Sequence, residues 1–206
     1  MSRTGARLLL GLVAFVLVGW GVGELLLSVL ASADLNAVRD IAAERSGIVT
    51  QAARTVTWAG SAFLLVGLAL IICSALDRTG LRREALAVAF SLGGAMLIAT
   101  WIKLLMARPR PPIEHLQTVT SSSFPSGHAT QASAFWLSLV LVLHTAGAPS
   151  TITGVAAGFA LLIVFVVAAS RVYLGVHYPS DVAAGALLGT GWTLYVSHCL
   201  RQREVQ

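Results

Sequence analysis

The sequence predicts an all-α, polytopic membrane protein: a six-transmembrane-helix bundle formed by a single domain, residues 1–206. Three observations lead there. Of the 206 residues, 56% are hydrophobic and 11% are charged, where an average soluble domain has about 25% charged residues. Mean hydropathy is +0.81. Six apolar runs, each too long for a strand of a soluble sheet, fill most of the chain. This balance excludes a disordered chain and a nucleic-acid-binding tail. It leaves no polar stretch long enough for a separate soluble domain. The partner it implies is a lipid bilayer, and no nucleic acid.

The first run, 8–30, is followed by Ala31-Ser32-Ala33, which resembles a signal-peptidase site. A run of 23 residues exceeds the ~7–15 of a secretory h-region, so the segment is expected to stay as a span. Glu24 lies 16 residues into it, ~24 Å from its start at 1.5 Å per residue. That depth is near the far face, where Glu24 would line a lipid access path or contact headgroups. Residues 34–55 then read as a loop with Leu35, Val38, Ile41, Ala42 and Val49 at near-helical spacing. A helix lying on the membrane surface and a solvated connecting helix both fit.

The remaining runs are 56–76, 85–105, 129–146, 152–169 and 182–200. The pairs Gly19/Gly23, Gly154/Gly158 and Gly185/Gly189 are each four apart, which puts each pair on one helix face and predicts close helix packing. Cys73 and Cys199 sit in apolar runs and read as small buried side chains with no reason to pair.

Loop charges set the orientation. Arg3, Arg7, Arg78, Arg82, Arg83, Arg201 and Arg203 all fall on one side of a six-span chain. The positive-inside rule makes that side, with both termini, cytoplasmic. In the first outer loop, Arg39, Arg45 and Arg54 are balanced by Asp34, Asp40 and Glu44. Thirteen of the 14 basic residues are Arg, and with the Ala and Gly bias this points to a GC-rich bacterial genome. The expected location is therefore a bacterial cytoplasmic (inner) membrane, crossed several times.

Two polar clusters are not explained by spans or by orientation, and both fall on the outer side. The first begins with Lys103, Arg108 and Arg110, stiffened by Pro109, Pro111 and Pro112. It continues to Pro125-Ser126-Gly127-His128 at the start of the fourth run. The first N–H groups of a helix have no intrahelical partner, and with the helix dipole they attract an anion. Gly127 allows close backbone approach, and His128 beside the anion could donate a proton to a leaving oxygen. Taken alone, Lys103 and the arginines also read as snorkelling interfacial side chains.

The second cluster holds Ser170, Arg171, His177, Pro179 and Asp181. Pro179 suits the first turn of the sixth run, which places Asp181 within that turn and His177 just outside. Asp181 could orient the imidazole through one ring nitrogen and leave the other as a nucleophile. It could equally complement the helix N-terminus, and the two uses are compatible.

Together the clusters suit a multiply charged anion. A transferring phosphoryl group needs its oxygens neutralised, an in-line nucleophile and an acid for the leaving group. Lys103, Arg110 and Arg171 supply charge, His177 the nucleophile and His128 the acid. Glu114 and Asp181 are too few carboxylates for a two-metal site. His115, His128 and His177 would hold zinc only against basic surroundings. No metal and no cofactor is expected.

These residues resemble the type 2 phosphatidic acid phosphatase superfamily. Its signature is Lys, six residues, Arg-Pro; then Pro-Ser-Gly-His; then Ser-Arg, five residues, His, three residues, Asp. Lys103 with Arg110-Pro111, Pro125 to His128, and Ser170-Arg171 with His177 and Asp181 match it without a gap, over 103–181. The resemblance implies metal-independent hydrolysis of a phosphate monoester or diphosphate on a membrane lipid, through a phosphohistidine.

By resemblance, His177 attacks, Asp181 orients it, and His128 protonates the leaving group. Lys103, Arg110, Arg171, Ser126 and Gly127 bind the phosphate. Arg108 falls in the variable stretch and receives no role. Undecaprenyl diphosphate, phosphatidylglycerol phosphate and phosphatidic acid are the implied substrates. The alternatives are a lipid or anion transporter using the same pocket and a vanadate-dependent haloperoxidase. An intact His128, His177 and Asp181 set speaks against the first, and the apolar spans against the second.

Overall fold

A computed structural model of the chain describes residues 3–202. They form α1 (Arg3–Ala43), α2 (Gly47–Val56), α3 (Ala62–Arg78), α4 (Arg82–Met106), α5 (Gly127–Thr145), α6 (Ser150–Tyr173) and α7 (Pro179–Arg201). A 3₁₀ turn, Thr57–Gly60, joins α2 to α3. There is no strand among the described residues.

Helix α1 corrects the reading of the first loop. Its 41 residues span ~61 Å, about twice the ~30 Å hydrocarbon thickness of a bilayer. It runs unbroken through Ala31-Ser32-Ala33, and residues 34–43 are its last turns, not a loop. The face bearing Leu35, Val38 and Ile41 is no surface face. Val38 is buried with Ala129, Val172, Tyr178 and Val182, so the end of α1 is clamped onto α5, α6 and α7. Asp34, expected as a loop charge balancing arginines, is buried.

Helices α1, α4 and α6 are long and apolar enough to cross a membrane. The segment Gly47–Gly60 with Ala62–Arg78, bent by 41°, would be a fourth. This is fewer than the six apolar runs, and the reason lies in packing. Helices α5 and α7 carry Thr130, Gln131, Ser133, Ser138, Thr193 and Ser197 along their length. They sit at the centre of the bundle, where small polar side chains meet other helices and not lipid. Gly189 of α7 faces Thr130 and Ser133 of α5 so closely that an added Cβ would lie 2.2 Å from Ser133 Oγ and from the Thr130 carbonyl oxygen.

The glycine pairs otherwise divide. Gly19 and Gly23 of α1 lie against Ile102 and Met106 of α4, as close packing requires. Gly154 and Gly158 face open space, so that pair packs against nothing.

The apolar core has two main parts. Ala95, Ile98 and Ile102 of α4 join Phe124, Ala134 of α5, and Ala184, Trp192 and Val196 of α7. Leu65 and Ala69 of α3 join Val88 and Leu92 of α4 and Phe135 of α5. Cys73 and Cys199 are both free thiols.

At one end of the bundle the Arg7 guanidinium donates to Gln202, and Tyr195 donates to the Arg7 carbonyl at 2.8 Å. Arg83 and Arg201 border one small pocket there. Arg203, the last of the seven orienting arginines, lies outside the described residues. At the opposite end, α4 and α6 finish where α5 and α7 begin.

Candidate active site

Helix α4 ends at Ala107, whose φ of +45° is the left-handed conformation that stops a helix and turns the chain away. Residues 107–126 then cross the mouth of the bundle. Arg45 holds this segment by donating to the Glu114 carbonyl and to the Tyr173 carbonyl, each at 3.0 Å. Arg54 donates to the Leu116 carbonyl at 3.2 Å. These two arginines therefore brace a loop, where charge balance with Asp40 and Glu44 was expected. Gly175, at φ +78°, lets the turn after α6 approach: a Cβ there would lie 2.5 Å from Arg45 Nη2.

The result is an open cavity of about 810 Å³, lined among others by Lys103, Arg108, Arg110, Gly127, His128, Gln131, Arg171 and His177. The structure thus brings to one place the candidates Lys103, Arg110, Gly127, His128, Arg171 and His177. Asp181 stands directly behind His177, and Ser126 is the N-cap residue of α5. Lys103 donates to the Ser122 carbonyl at 2.6 Å. Arg110 donates to the Ser121 carbonyl at 2.9 Å and to Val176, and its Nη1 lies 3.4 Å from His177 Nε2. Burial pulls the Arg110 guanidinium below its ordinary pKa, opposed by Asp181. Arg171 donates to Thr57 at 3.0 Å and to Gln117.

Besides His177 Nδ1, two buried donors in this set have no protein partner: Ser126 Oγ and Arg171 Nε. Buried polar groups are almost always satisfied, so unmatched donors beside a cationic cavity fit an anion that brings its own acceptors. The N-terminus of α5 adds to this by aiming its first N–H groups at the mouth, and it is tied to the start of α7 by the Ser126 N–H donating to the Asp181 carbonyl at 3.0 Å.

His177 is 2% exposed. Burial lowers its pKa to about 4, with Asp181 pulling the other way. The ring is therefore neutral near pH 7. Its Nδ1 faces Asp181 Oδ2 at 3.5 Å, longer than a made hydrogen bond but directed so that the proton belongs on Nδ1. Nε2 then carries the lone pair, which accepts a long hydrogen bond from Arg110 Nη1 at 3.4 Å.

Sequence reasoning missed what holds Asp181. Its Oδ2 accepts from Ser123 Oγ at 2.5 Å and from the Tyr178 N–H at 2.9 Å. Its Oδ1 accepts from Arg108 Nη1 at 2.5 Å, and Arg108 Nη2 reaches Asp34 at 2.8 Å. The charge of Arg108 and the Ser-rich stretch were visible. Nothing local could pair Asp34 with residues more than 70 positions away.

The other candidates stand apart. His115 is exposed, its Nε2 2.9 Å from the Pro111 carbonyl, and it does not line the cavity. Glu114 contributes only its backbone. Glu24 is exposed on α1 and accepts from Trp20 Nε1 at 3.2 Å. Among the described residues no three His, Cys, Asp or Glu side chains gather as a metal would need.

Fold and cavity define an all-helical membrane protein with an anion-receptive site backed by a His–Asp pair. Residues 84–204 match the PAP2 superfamily, and the chain belongs to that family. Decaprenylphosphoryl-5-phosphoribose phosphatase of Mycobacterium tuberculosis is 40% identical over 128 residues, which is 59% of this chain and 63% of that protein. The protein of the same name from Mycolicibacterium smegmatis is 35% identical over 155 residues, 73% of this chain and 78% of that one. The crystal structure of a transmembrane PAP2-type phosphatidylglycerolphosphate phosphatase from Bacillus subtilis has the same fold, with a TM-score of 0.81 at 24% identity over 96% of both chains.

Proposed function

We propose that the protein is a lipid phosphatase that hydrolyses a phosphate monoester or diphosphate without a metal, through a phosphohistidine at His177. The observation that carries this reading is a buried His177, backed by Asp181, in a wall otherwise cationic: Lys103, Arg110 and Arg171. A pocket built only to bind an anion has no use for a nucleophile there.

The steps follow from the arrangement. Lys103, Arg110, Arg171, Ser126 Oγ and the first N–H groups of α5, at Gly127, receive the phosphate oxygens. His177 Nε2 attacks phosphorus while Nδ1–H turns towards Asp181, which stabilises the growing positive charge of the ring. The bond from phosphorus to the lipid oxygen breaks, and His128, protonated beside the bound phosphate dianion, gives that oxygen its proton. Water then attacks the phosphohistidine, His128 takes the water proton, and inorganic phosphate leaves with His177 neutral again.

The cavity favours a lipid. Thr100 and Leu104 line it and are exposed on α4, so a hydrocarbon tail can leave sideways into the bilayer while the head stays inside. At about 810 Å³ it takes a head larger than a bare phosphate. The names of the mycobacterial relatives add a polyprenyl-linked phosphosugar to undecaprenyl diphosphate, phosphatidylglycerol phosphate and phosphatidic acid as substrates for this chain. In the membrane we place all six apolar runs as spans, with α5 and α7 shielded by the others. Both termini are then in the cytoplasm of a bacterial inner membrane and the cavity is on the outer side. A Cys replacing Ser122 would be labelled from outside.

The test is phosphate release by purified protein in detergent with a chelator present, on those four lipids and a soluble phosphomonoester. Release by wild type that vanishes in His177→Ala supports the reading. Release that survives in His177→Ala, or that stops with chelator, overturns it.

A further inference from the structure

We propose that Arg108 and Asp34 form a positioning couple that sets the geometry and charge of the Asp181–His177 pair from helix α1. The inference rests on His177 as the nucleophile and goes beyond that reading in assigning two residues outside the family motif.

The geometry is a closed buried chain. Asp181 is 0% exposed, Asp34 4% and Arg108 6%. Arg108 spans the two carboxylates with one fork: Nη1 at 2.5 Å from Asp181 Oδ1 and Nη2 at 2.8 Å from Asp34 Oδ2. Nη1 also donates to Ser180 Oγ at 2.9 Å. Asp34 accepts from the Ser180 N–H at 3.0 Å and from Ser180 Oγ, so it caps the first turn of α7 from another helix. The guanidinium lies 4.0 Å from the centre of the Tyr178 ring, between the nucleophile and its carboxylate in sequence. Lys in place of Arg108 could not make this fork, because two carboxylates and a ring face are met by one planar group.

The charges explain why the couple has two members. Asp34 and Arg108 neutralise each other, so Asp181 keeps one net negative charge for the imidazolium that forms as His177 takes up phosphate. Arg108 without Asp34 would quench Asp181. Asp34 without Arg108 would leave two carboxylates buried side by side. The other groups facing His177 are all cationic or neutral: Lys103 from α4, Arg110 from the following loop, His128 from α5 and Arg171 from α6. Among the described residues the negative charge that balances the ring comes from Asp181 and, behind it, Asp34.

The experiment uses the full chain in detergent, with Arg108→Gln, Arg108→Lys, Asp34→Asn and the double variant Asp34→Asn/Arg108→Gln. Phosphatidic acid is the substrate, and ¹⁵N-histidine NMR follows the His177 ring. Arg108→Gln lowers kcat by about 100-fold with KM little changed, since a displaced dyad misaligns attack. It also raises the His177 midpoint by about a pH unit or more, because an unpaired carboxylate faces the ring. Asp34→Asn moves the midpoint down, and the double variant returns it towards wild type. Arg108→Lys keeps the sign of the charge, so its midpoint stays near wild type and its kcat lies above that of Arg108→Gln.

A purely structural role would shift both midpoints the same way or neither, and either result overturns the proposal. So does a loss confined to KM. His177→Ala separates the two readings. Release that persists there removes the nucleophile itself; release that vanishes there, with no opposed midpoints, removes only the couple.

Discussion

The neutral state of His177 makes a quantitative prediction. An unperturbed imidazole of pKa about 6.5 would be only about 3% neutral at pH 5. Burial lowers the His177 pKa to about 4. At pH 5 the ring is then about 90% neutral, a difference of about thirtyfold in competent nucleophile. The sign follows from burial: the charged form loses hydration and gains only Asp181, so protons bind less readily than in the unfolded chain. Protonation therefore sets in only as pH falls towards 4.

Substrate phosphate also titrates between pH 5 and 7, so rate alone mixes two groups. The cleaner assay is ¹⁵N-histidine NMR in detergent micelles, with the His177 signal assigned by its loss in His177→Gln. The ring should stay neutral, with its proton on Nδ1, from pH 8 down to about 5. Single-turnover phosphohistidine formation, corrected for substrate ionisation, should be level over the same range. A His177 midpoint at or above 6 would refute the reasoning, because burial would then not control the ring. A proton resident on Nε2 at neutral pH would refute the assigned direction of attack.

Other predictions follow from packing and chemistry. Gly189→Leu should cost about 1–3 kcal/mol or more as overpacking between α5 and α7, read as a lower thermal midpoint in detergent, while Gly158→Leu, in open space, leaves it unchanged. Ala107→Gly should raise that midpoint slightly, since a φ of +45° strains Ala and not Gly. Arg171→Lys should weaken substrate and inorganic phosphate binding with a smaller effect on kcat, because the guanidinium both binds Thr57 and Gln117 and offers a free Nε, which an ammonium cannot do. Exhaustive chelation should leave phosphate release unchanged.

Much of the fold was legible because apolar runs mark helices whether they face lipid or protein. The last five runs correspond to α3 through α7 within a few residues, except that the second begins at the last residue of α2, before the turn that leads into α3. What the runs could not show is which helices stand inside. Helices α5 and α7 look like spans of middling hydropathy. Their Thr, Ser and Gly are the means by which they approach each other at the centre. The error at α1 has the same root. Asp34 broke the apolar pattern and looked like the first residue of a loop, yet a buried carboxylate with a buried Arg is compatible with helix. Only the partner 74 residues away distinguishes the two.

The candidate site was more legible than its support, and the structure gives the physical reason. Lys103, Arg110, His128, Arg171 and His177 sit at helix ends or in the short loops joining them, where spacing along the chain fixes their direction. Helices α5 and α7 start at the same end and run parallel. The first turn of α5 aims its unpaired N–H groups at the cavity, the Ser180 N–H of α7 is taken by Asp34, and the Ser126 to Asp181 backbone bond locks the two starts in register. An anion placed there meets the α5 terminus and three cationic side chains at once. The position of a nucleophile is then constrained from one side only, by the carboxylate in the first turn of α7. That carboxylate must be held against a strongly positive field that would otherwise draw it towards the substrate position. Ser123, the Tyr178 N–H and Arg108 hold it from behind, and Asp34 anchors Arg108 in turn. A site for a multiply charged anion thus needs buried negative charge at its back, and α1, the longest helix in the fold, supplies it.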